Sequence, residues 1–439
     1  MKVEKVREKD GKLELAVELS GKEVEKDMQQ VAAREIAKKH YQVNHKDDDP
    51  VAFLKKHLGD SEAAFLFDEG IMRHRVPFAL TAAEVDTIGE PVFKCLEHAQ
   101  PGETFTFHIV CVPVPEFELS DYGPVAITVP SSDVKPDEVE LEIQKMAQAA
   151  AVATTDKTHD VVIKGDKIEI AMETTKDGKK IRPLCAERRE YNTGTFAMPD
   201  DFDNAIIGMK VGETKTFSFQ GPELELDENK NVVMETYVST VTVNRIISMQ
   251  PPEIGDEWAR TTQVGVKNLA DLRKKVREKL EKEHEDEHAR RSQLLASNEL
   301  AKRLEGEIPD LIYGVAVKEA RKNLDEKLKR EKLSLDEYLE KEGIEKKQLD
   351  NMLLLQVRSQ LTRQFALNAY AKHEGISIDD DDLKAFFESI APGKAGLAMS
   401  DFRSEGRMYA ARCAALRLKA SKDLVEKADV KLVGAAQRQ

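Results

Sequence analysis

The sequence predicts a multidomain α+β protein: an α/β head, a β-rich block, and an elongated all-α C-terminal region with arms. Three observations carry this reading. The first 113 residues mix period-two and helix-period apolar patterns. Residues 158–247 are dominated by alternating, strand-like runs separated by glycine turns. From residue 248 onward the pattern is helical, and the segments 269–304 and 346–374 run on without Gly or Pro. Helices of that length cannot bury themselves fully in a compact ball, so they read as arms. A chain of 439 residues also suggests about three domains.

The head occupies residues 1–113. "KLELAVEL" (12–19) alternates like a half-buried strand, and "GKEVEKDMQQVAAREIAKKH" (21–40) places Val24, Met28, Val31 and Ile36 along one helix face. After a break at 41–50, "VAFLKKHL" (51–58) and "SEAAFLFDEGIMRHRV" (61–76) read as helices, and "TFTFHIVCV" (104–112) as a closing strand. Residues 114–157 are a proline-punctuated extended linker followed by a helix at 137–151 that joins the C-terminal body. The linker reads as a connecting arm and not as a core element. Within 158–247, Asp177-Gly178 marks a hairpin turn, 201–219 gives a short helix, a glycine turn and a strand, and 238–247 is a final strand. Residues 248–439 form the helical region.

Composition excludes several function classes. The chain carries a net charge of −14, with 34% charged and 41% hydrophobic residues. Such an acidic chain is poorly suited to grip DNA. No run of eighteen apolar residues is present, so no membrane span is predicted. The opening residues lack the apolar core of a signal peptide. The four cysteines, at 95, 111, 185 and 413, are too scattered for a disulfide framework or a thiolate metal site. No G-x-x-x-x-G-K-[ST] or G-x-G-x-x-G occurs, so no nucleotide or other cofactor is expected. The expectation is a cytoplasmic protein, a monomer or weak dimer.

One motif argues otherwise. His284-Glu285-Asp286-Glu287-His288 is a literal H-E-x-x-H, whose histidines lie one above the other on a helix and can share a zinc ion. Its flanks, Lys279, Glu281, Lys282, Glu283, Arg290 and Arg291, form a charge lattice of a solvated helix instead of the apolar wall of a cleft. No third ligand lies within reach, and no metal is expected.

"DFDNAIIGMKVGE" (201–213) resembles the signature of FKBP-type prolyl isomerases. The order of parts resembles the trigger factor family, the ribosome-associated chaperones of bacteria. "EIPDLIYGVAVKEARKNL" (307–324) and the stretch 353–391 resemble that family's helix start, long arm helix and following helix. The resemblance implies an ATP-independent chaperone of unfolded or nascent polypeptides, with roles in protein folding, protein transport and cell division. It also implies two sites.

The first is an isomerase pocket at Phe196, Phe202, Ile206 and Met172. Here the sequence departs from the pattern. Ala171-Met172 stands where the family has Asp-Phe, Ser239 replaces a last-strand Phe, and a Tyr expected after "FSF" is missing. FKBP-type catalysis relies on a dry aromatic pocket that favours the twisted amide, so weak or lost isomerisation is expected. The second is a ribosome-docking loop of pattern Gly-Phe-Arg-x-Gly-Lys-x-Pro. The matching residues are "VNHKDDDP" (43–50): Asn44, His45, Lys46 and Asp48 are degenerate, and Pro50 is kept. One lysine against three aspartates disfavours contact with RNA phosphates, so ribosome binding is expected to be weakened.

Client binding falls to the helical region. Apolar residues in 349–370 cover more than one helix face. Met352, Leu354 and Phe365, with Phe386, Phe387, Met399, Phe402 and Met408, are candidates for a cradle, methionine being adaptable to varied partners. Two alternatives stay open: an active prolyl isomerase with helical client-binding arms, and a helical adaptor for one folded partner.

Overall fold

The computed structural model describes residues 1–41, 49–195, 197–222 and 234–433. They fall into two compact units, Met1–Ser131 with Asp286–Gln439, and Ser132–Glu285.

The first unit opens with the hairpin β1 (Lys2–Lys9) and β2 (Lys12–Leu19), then α1 (Gly21–Lys39), α2 (Pro50–Leu58), α3 (Asp60–Ala83), β3 (Val92–Cys95) and β4 (Phe105–Cys111). The sheet order is β1-β2-β4-β3. Inward residues Leu15, Val17 and Leu19 of β2 meet Phe105, Phe107 and Ile109 of β4, Val24 and Met28 of α1, and Phe67 and Ile71 of α3 in one core. Strand β1 is absent from the sequence-based expectation. Its residues, KVEKVREK, are almost all exposed, so it carries no apolar alternation and is held by its backbone ladder to β2. Helix α1 starts at a capping box in which Ser20 N–H and Oγ donate to Glu23 Oε2 at 3.0 and 2.8 Å.

The segment 114–131 corrects the expectation of a connecting arm. It contains β5 (Ala126–Pro130), and Leu119, Val125, Ile127 and Val129 are core residues. The chain here alternates apolar and polar residues, and the apolar ones are covered by helices distant in sequence.

The second unit contains α4 (Pro136–Ala149), β6 (Val152–Thr155), β7 (Lys167–Lys176), β8 (Lys179–Lys180), β9 (Ala186–Asn192), α5 (Asp200–Ile206), β10 (Thr214–Pro222), β11 (Met234–Gln250) and α6 (Asp256–Thr262). The six strands form one antiparallel sheet in which β11 lies between β10 and β7, β6 adds to β11, and β9 adds to β7. Asp177 and Gly178 both take positive φ, 50° and 75°, as a two-residue hairpin turn requires. Helix α7 (Leu269–Ala301) contributes residues to both units. Its Leu272 and Val276 pack with Val139 and Ile143 of α4 and with the single tryptophan, Trp258.

The first unit is completed by α8 (Asp310–Glu331), α9 (Leu335–Glu342), α10 (Lys346–His373), α11 (Asp380–Ile390), α12 (Ala395–Ser404), α13 (Met408–Glu426) and β12 (Asp429–Val433). Strand β12, in a region expected to be wholly helical, pairs parallel with β5. The protein is therefore a multidomain α+β chain. Among the described residues no helix is long and apolar enough to cross a membrane.

Candidate functional site

The apolar residues of α10 resolve into two sets. Leu349, Leu353, Val357, Leu361 and Phe365 recur every fourth residue, so they share one face, and all are buried. Val357, Leu361 and Phe365 pack with Ile312 of α8, and Phe117 stacks on Phe365 at a centroid distance of 5.2 Å. Met352 and Leu355 point elsewhere and remain 56% and 66% exposed, with Leu354 half-buried.

Helices α11, α12 and α13 build a smaller core from Leu383, Phe387, Ala411 and Ala415. Phe387 lies 5.4 Å from Phe386 and 5.2 Å from Phe402, both edge-on, and the Arg407 guanidinium sits 4.2 Å from the Phe402 ring centroid. Phe386, Met399, Phe402 and Met408 are half-buried around this core, while Ile390 and Leu397 are exposed. Two expected client contacts are thereby corrected. Phe365 and Phe387 are 1% and 0% exposed; Phe365 is covered by Phe117 and by residues of α8, Phe387 by residues of α12 and α13, and neither offers surface to a client. Leu355, one of the apolar residues of 349–370, is a surface candidate, and Ile390 and Leu397 are surface candidates that sequence reasoning missed. They are apolar positions off the buried helix stripe, a signal present in the sequence once the stripe is fixed.

In the β-rich unit, Met172, Phe202 and Ile206 share one core and are 5%, 0% and 0% exposed. Three rings surround Phe202, those of Tyr191 at 5.5 Å, Phe217 at 5.3 Å and Phe219 at 5.3 Å. Tyr191 Oη donates to Asp203 Oδ1 at 2.6 Å, and Asp203 Oδ2 accepts the Gly194 N–H at 3.0 Å. Burial, with the bond to Asp203, pushes the Tyr191 phenol far above its ordinary range. On the neighbouring strand, Tyr237 of β11 stacks on Phe219 at 5.5 Å and donates to the Pro222 carbonyl. Phe196 lies outside the described residues.

In the head, Asn44, His45, Lys46 and Asp48 lie outside the described residues, and Pro50 is the first residue of α2. Asp49 caps that helix, its carboxylate accepting the N–H groups of Val51 and Ala52 at 3.2 and 3.3 Å and the Gln29 side-chain amide at 2.6 Å. The Gln29 bond, working against burial, holds the Asp49 carboxyl below its usual range. One of the loop's three aspartates is thus committed to the fold.

The H-E-x-x-H histidine His284 faces Ser132 and Glu138, with Nδ1 3.2 Å from the Ser132 carbonyl oxygen and Nε2 3.7 Å from Glu138 Oε2. Among the described residues no group of three or more His, Cys, Asp or Glu side chains is placed to hold a metal ion.

Two family descriptions match the chain on either side of the β-rich block. "Bacterial trigger factor protein (TF)" matches residues 1–146, and "Bacterial trigger factor protein (TF) C-terminus" matches residues 268–431. The chain belongs to the trigger factor family. Relatives named trigger factor include one from Halalkalibacterium halodurans, 24% identical over 72% of this chain and 73% of its own. One from Nocardioides sp. is 25% identical over 76% and 69%, and one from Halothermothrix orenii is 22% identical over 89% and 90%. A solved structure from work on "Promiscuous Substrate Recognition in Folding and Assembly Activities of the Trigger Factor Chaperone" is 18% identical, covers 97% of this chain and 99% of its own, and has a TM-score of 0.39. As a trigger factor, the protein is a chaperone that acts in protein folding.

Proposed function

We propose that this trigger factor holds unfolded and nascent polypeptides without ATP, with weak or lost prolyl isomerisation and a weakened contact with the ribosome. The observation that carries the reading is the set of uncovered apolar side chains, Met352, Leu355, Ile390 and Leu397, on helices whose opposite faces are already committed to cores. The half-buried Leu354, Phe386, Met399, Phe402 and Met408 add partly exposed apolar side chains on the same helices and on α13. Each large side chain of a client buried against these yields about 1.5–3 kcal/mol. A few such contacts, less the cost of association, give loose binding that releases without an energy source. The dense charge between these positions keeps a bound client in solution.

The enclosed Phe202, Ile206 and Met172 support low isomerase turnover, because residues that fill a core are not free to line a pocket for a proline. The acidic character of residues 43–50 supports weak ribosome contact. The same reading has the protein working in the cytoplasm as a monomer or weak dimer.

The test is suppression of aggregation of an unrelated unfolded protein with no nucleotide present. Suppression that weakens on Met352→Ser with Leu397→Ser supports the reading. No suppression by the intact chain, alongside robust turnover of proline peptides, replaces it with the isomerase-centred alternative. Ribosome contact is read by co-sedimentation, which should tighten on His45→Arg with Asp48→Lys.

A further inference from the structure

The two-stranded sheet of the first unit has two unequal edges. The register pairs Asp429 with Ala126, Val430 with Ile127, Lys431 with Thr128, Leu432 with Val129 and Val433 with Pro130. The Asp429 N–H donates to the Val125 carbonyl at 2.9 Å, and the Val433 carbonyl accepts the Ser131 N–H at 3.1 Å. In a parallel pair, one residue's N–H and C=O point to the same side and successive residues alternate. Residues 429, 431 and 433 therefore bond inward to β5. The N–H and C=O groups of Val430 and Leu432 point to the free edge of β12.

The side chains of these two residues also lack cover. Val430 and Leu432 sit opposite Ile127 and Val129, hence on the same face of the sheet. Ile127 and Val129 are 4% and 0% exposed, whereas Val430 and Leu432 are 42% and 60% exposed. The apolar row that begins in the core continues outward to β12 and stops there, uncovered. The β5 edge is blunted by Pro130, which has no N–H to offer. Strand β12 contains no proline, and among the described residues no strand pairs with its outer backbone groups, the arrangement that edge protection normally removes.

The geometry points to the outer edge of β12 as a strand-addition site for an extended segment of an unfolded client. An added strand would bond to the outward backbone groups of Val430 and Leu432 and lay alternate side chains beside theirs. Backbone pairing is indifferent to client sequence, as a promiscuous holder requires. A second copy of this chain is the poorer occupant. The outer edge of β12 is only five residues long, whereas a stable interface between copies takes roughly 20–30 residues a side, so this edge suits the loose grip of a held client and not a dimer. The inference rests on the holding function proposed above and names one place where it acts.

Amide hydrogen exchange on the full-length protein, with and without reduced, carboxymethylated α-lactalbumin as a permanently unfolded probe, tests this. Binding should slow exchange of the Val430 and Leu432 amides. Leu432→Pro removes one outward donor and leaves the inward bonds of Lys431 and Val433 in place. It should weaken probe binding by about two- to tenfold. Continued protection of the Ser131 amide checks that β12 remains docked. Leu432→Thr keeps the donor and should retain the protection. Probe binding with unchanged exchange at Val430 and Leu432 overturns the site while leaving the chaperone reading intact. Protection that rises with protein concentration in the absence of probe overturns the choice of occupant in favour of a second copy. Failure of the wild-type chain to bind the probe at all removes the holding function, and this site with it.

Discussion

The side-chain oxygens of Thr174 and Ser239 lie 2.7 Å apart across β7 and β11, and neither residue is exposed to solvent. The two hydroxyls are hydrogen-bonded to each other beside the aromatic and aliphatic side chains of this unit's core. Resemblance to FKBP-type domains places a phenylalanine at Ser239. In the structure the position is held by a buried polar pair, each hydroxyl being the other's side-chain partner.

Ser239→Ala should therefore destabilise the β-rich unit by about 1–3 kcal/mol, the cost of a stranded buried hydroxyl. Adding Thr174→Val should recover part of that loss. Urea denaturation followed by circular dichroism gives both values. A double variant that loses the full sum of the two single losses would show that the pair is not coupled.

Phe387 and Leu397 should respond oppositely to substitution. Leu397→Ser, combined with Met352→Ser, removes exposed apolar surface. It should raise the chaperone concentration needed for half-suppression of aggregation while leaving the melting temperature close to that of the wild type. Phe387→Ala empties a buried site and should cost about 3–5 kcal/mol. Paired melting and aggregation assays separate a binding loss from a folding loss.

Gly406 has φ +73°, and a Cβ built on it would lie 2.6 Å from Phe78 Cγ. Its carbonyl also accepts a hydrogen bond from Thr81 Oγ1. Gly406→Ala should cost more than the roughly 1–2 kcal/mol of a left-handed residue alone, because the Phe78 ring and the Phe78 backbone nitrogen, 2.7 Å from that Cβ, must both give way. Gly343, left-handed at φ +65° with nothing within 4 Å of the point where a Cβ would stand, is the control. Gly343→Ala should show the conformational cost alone. Equal losses at the two positions would mean that the contact with Phe78 is readily relaxed.

The two units should respond to pH with opposite signs. Burial holds His74 below its ordinary pKa of 6.5, with Asp27 opposing and Arg34, Arg75 and Lys26 reinforcing. The unfolded chain then binds a proton that the folded chain resists. This contribution to stability is complete above the unfolded pKa and falls as pH drops below it. His159 is raised by its hydrogen bond to Asp166, against desolvation. Its contribution is complete below the unfolded pKa and is lost as pH rises through the folded value. Urea midpoints compared on either side of the ordinary histidine pKa should shift less with pH in His74→Gln. The opposite trend should be reduced in His159→Gln.

Much of the fold was legible in the sequence because local periodicity is a local property. The alternation of "KLELAVEL" marks β2 at Lys12–Leu19, the Asp177-Gly178 pair marks the β7–β8 turn, and the uninterrupted apolar spacing marks α7 and α10 to within a few residues. The family signal was legible for the same reason, being carried by contiguous stretches.

Tertiary structure alone decided which apolar residues are covered. Phe365 and Leu355 lie on one helix and are equally apolar by inspection, yet Phe117, nearly 250 positions away, encloses the first, and the second remains open. The burial of Phe202 likewise depends on Tyr191, Phe217 and Phe219 closing around it. Strand β1 had no apolar signal to read, and the pairing of β5 with β12 joins segments about 300 residues apart. A sequence records which side chains gain from leaving water. Which of them actually leave is settled by partners brought from elsewhere in the chain, because burial is a property of contacts and not of a residue.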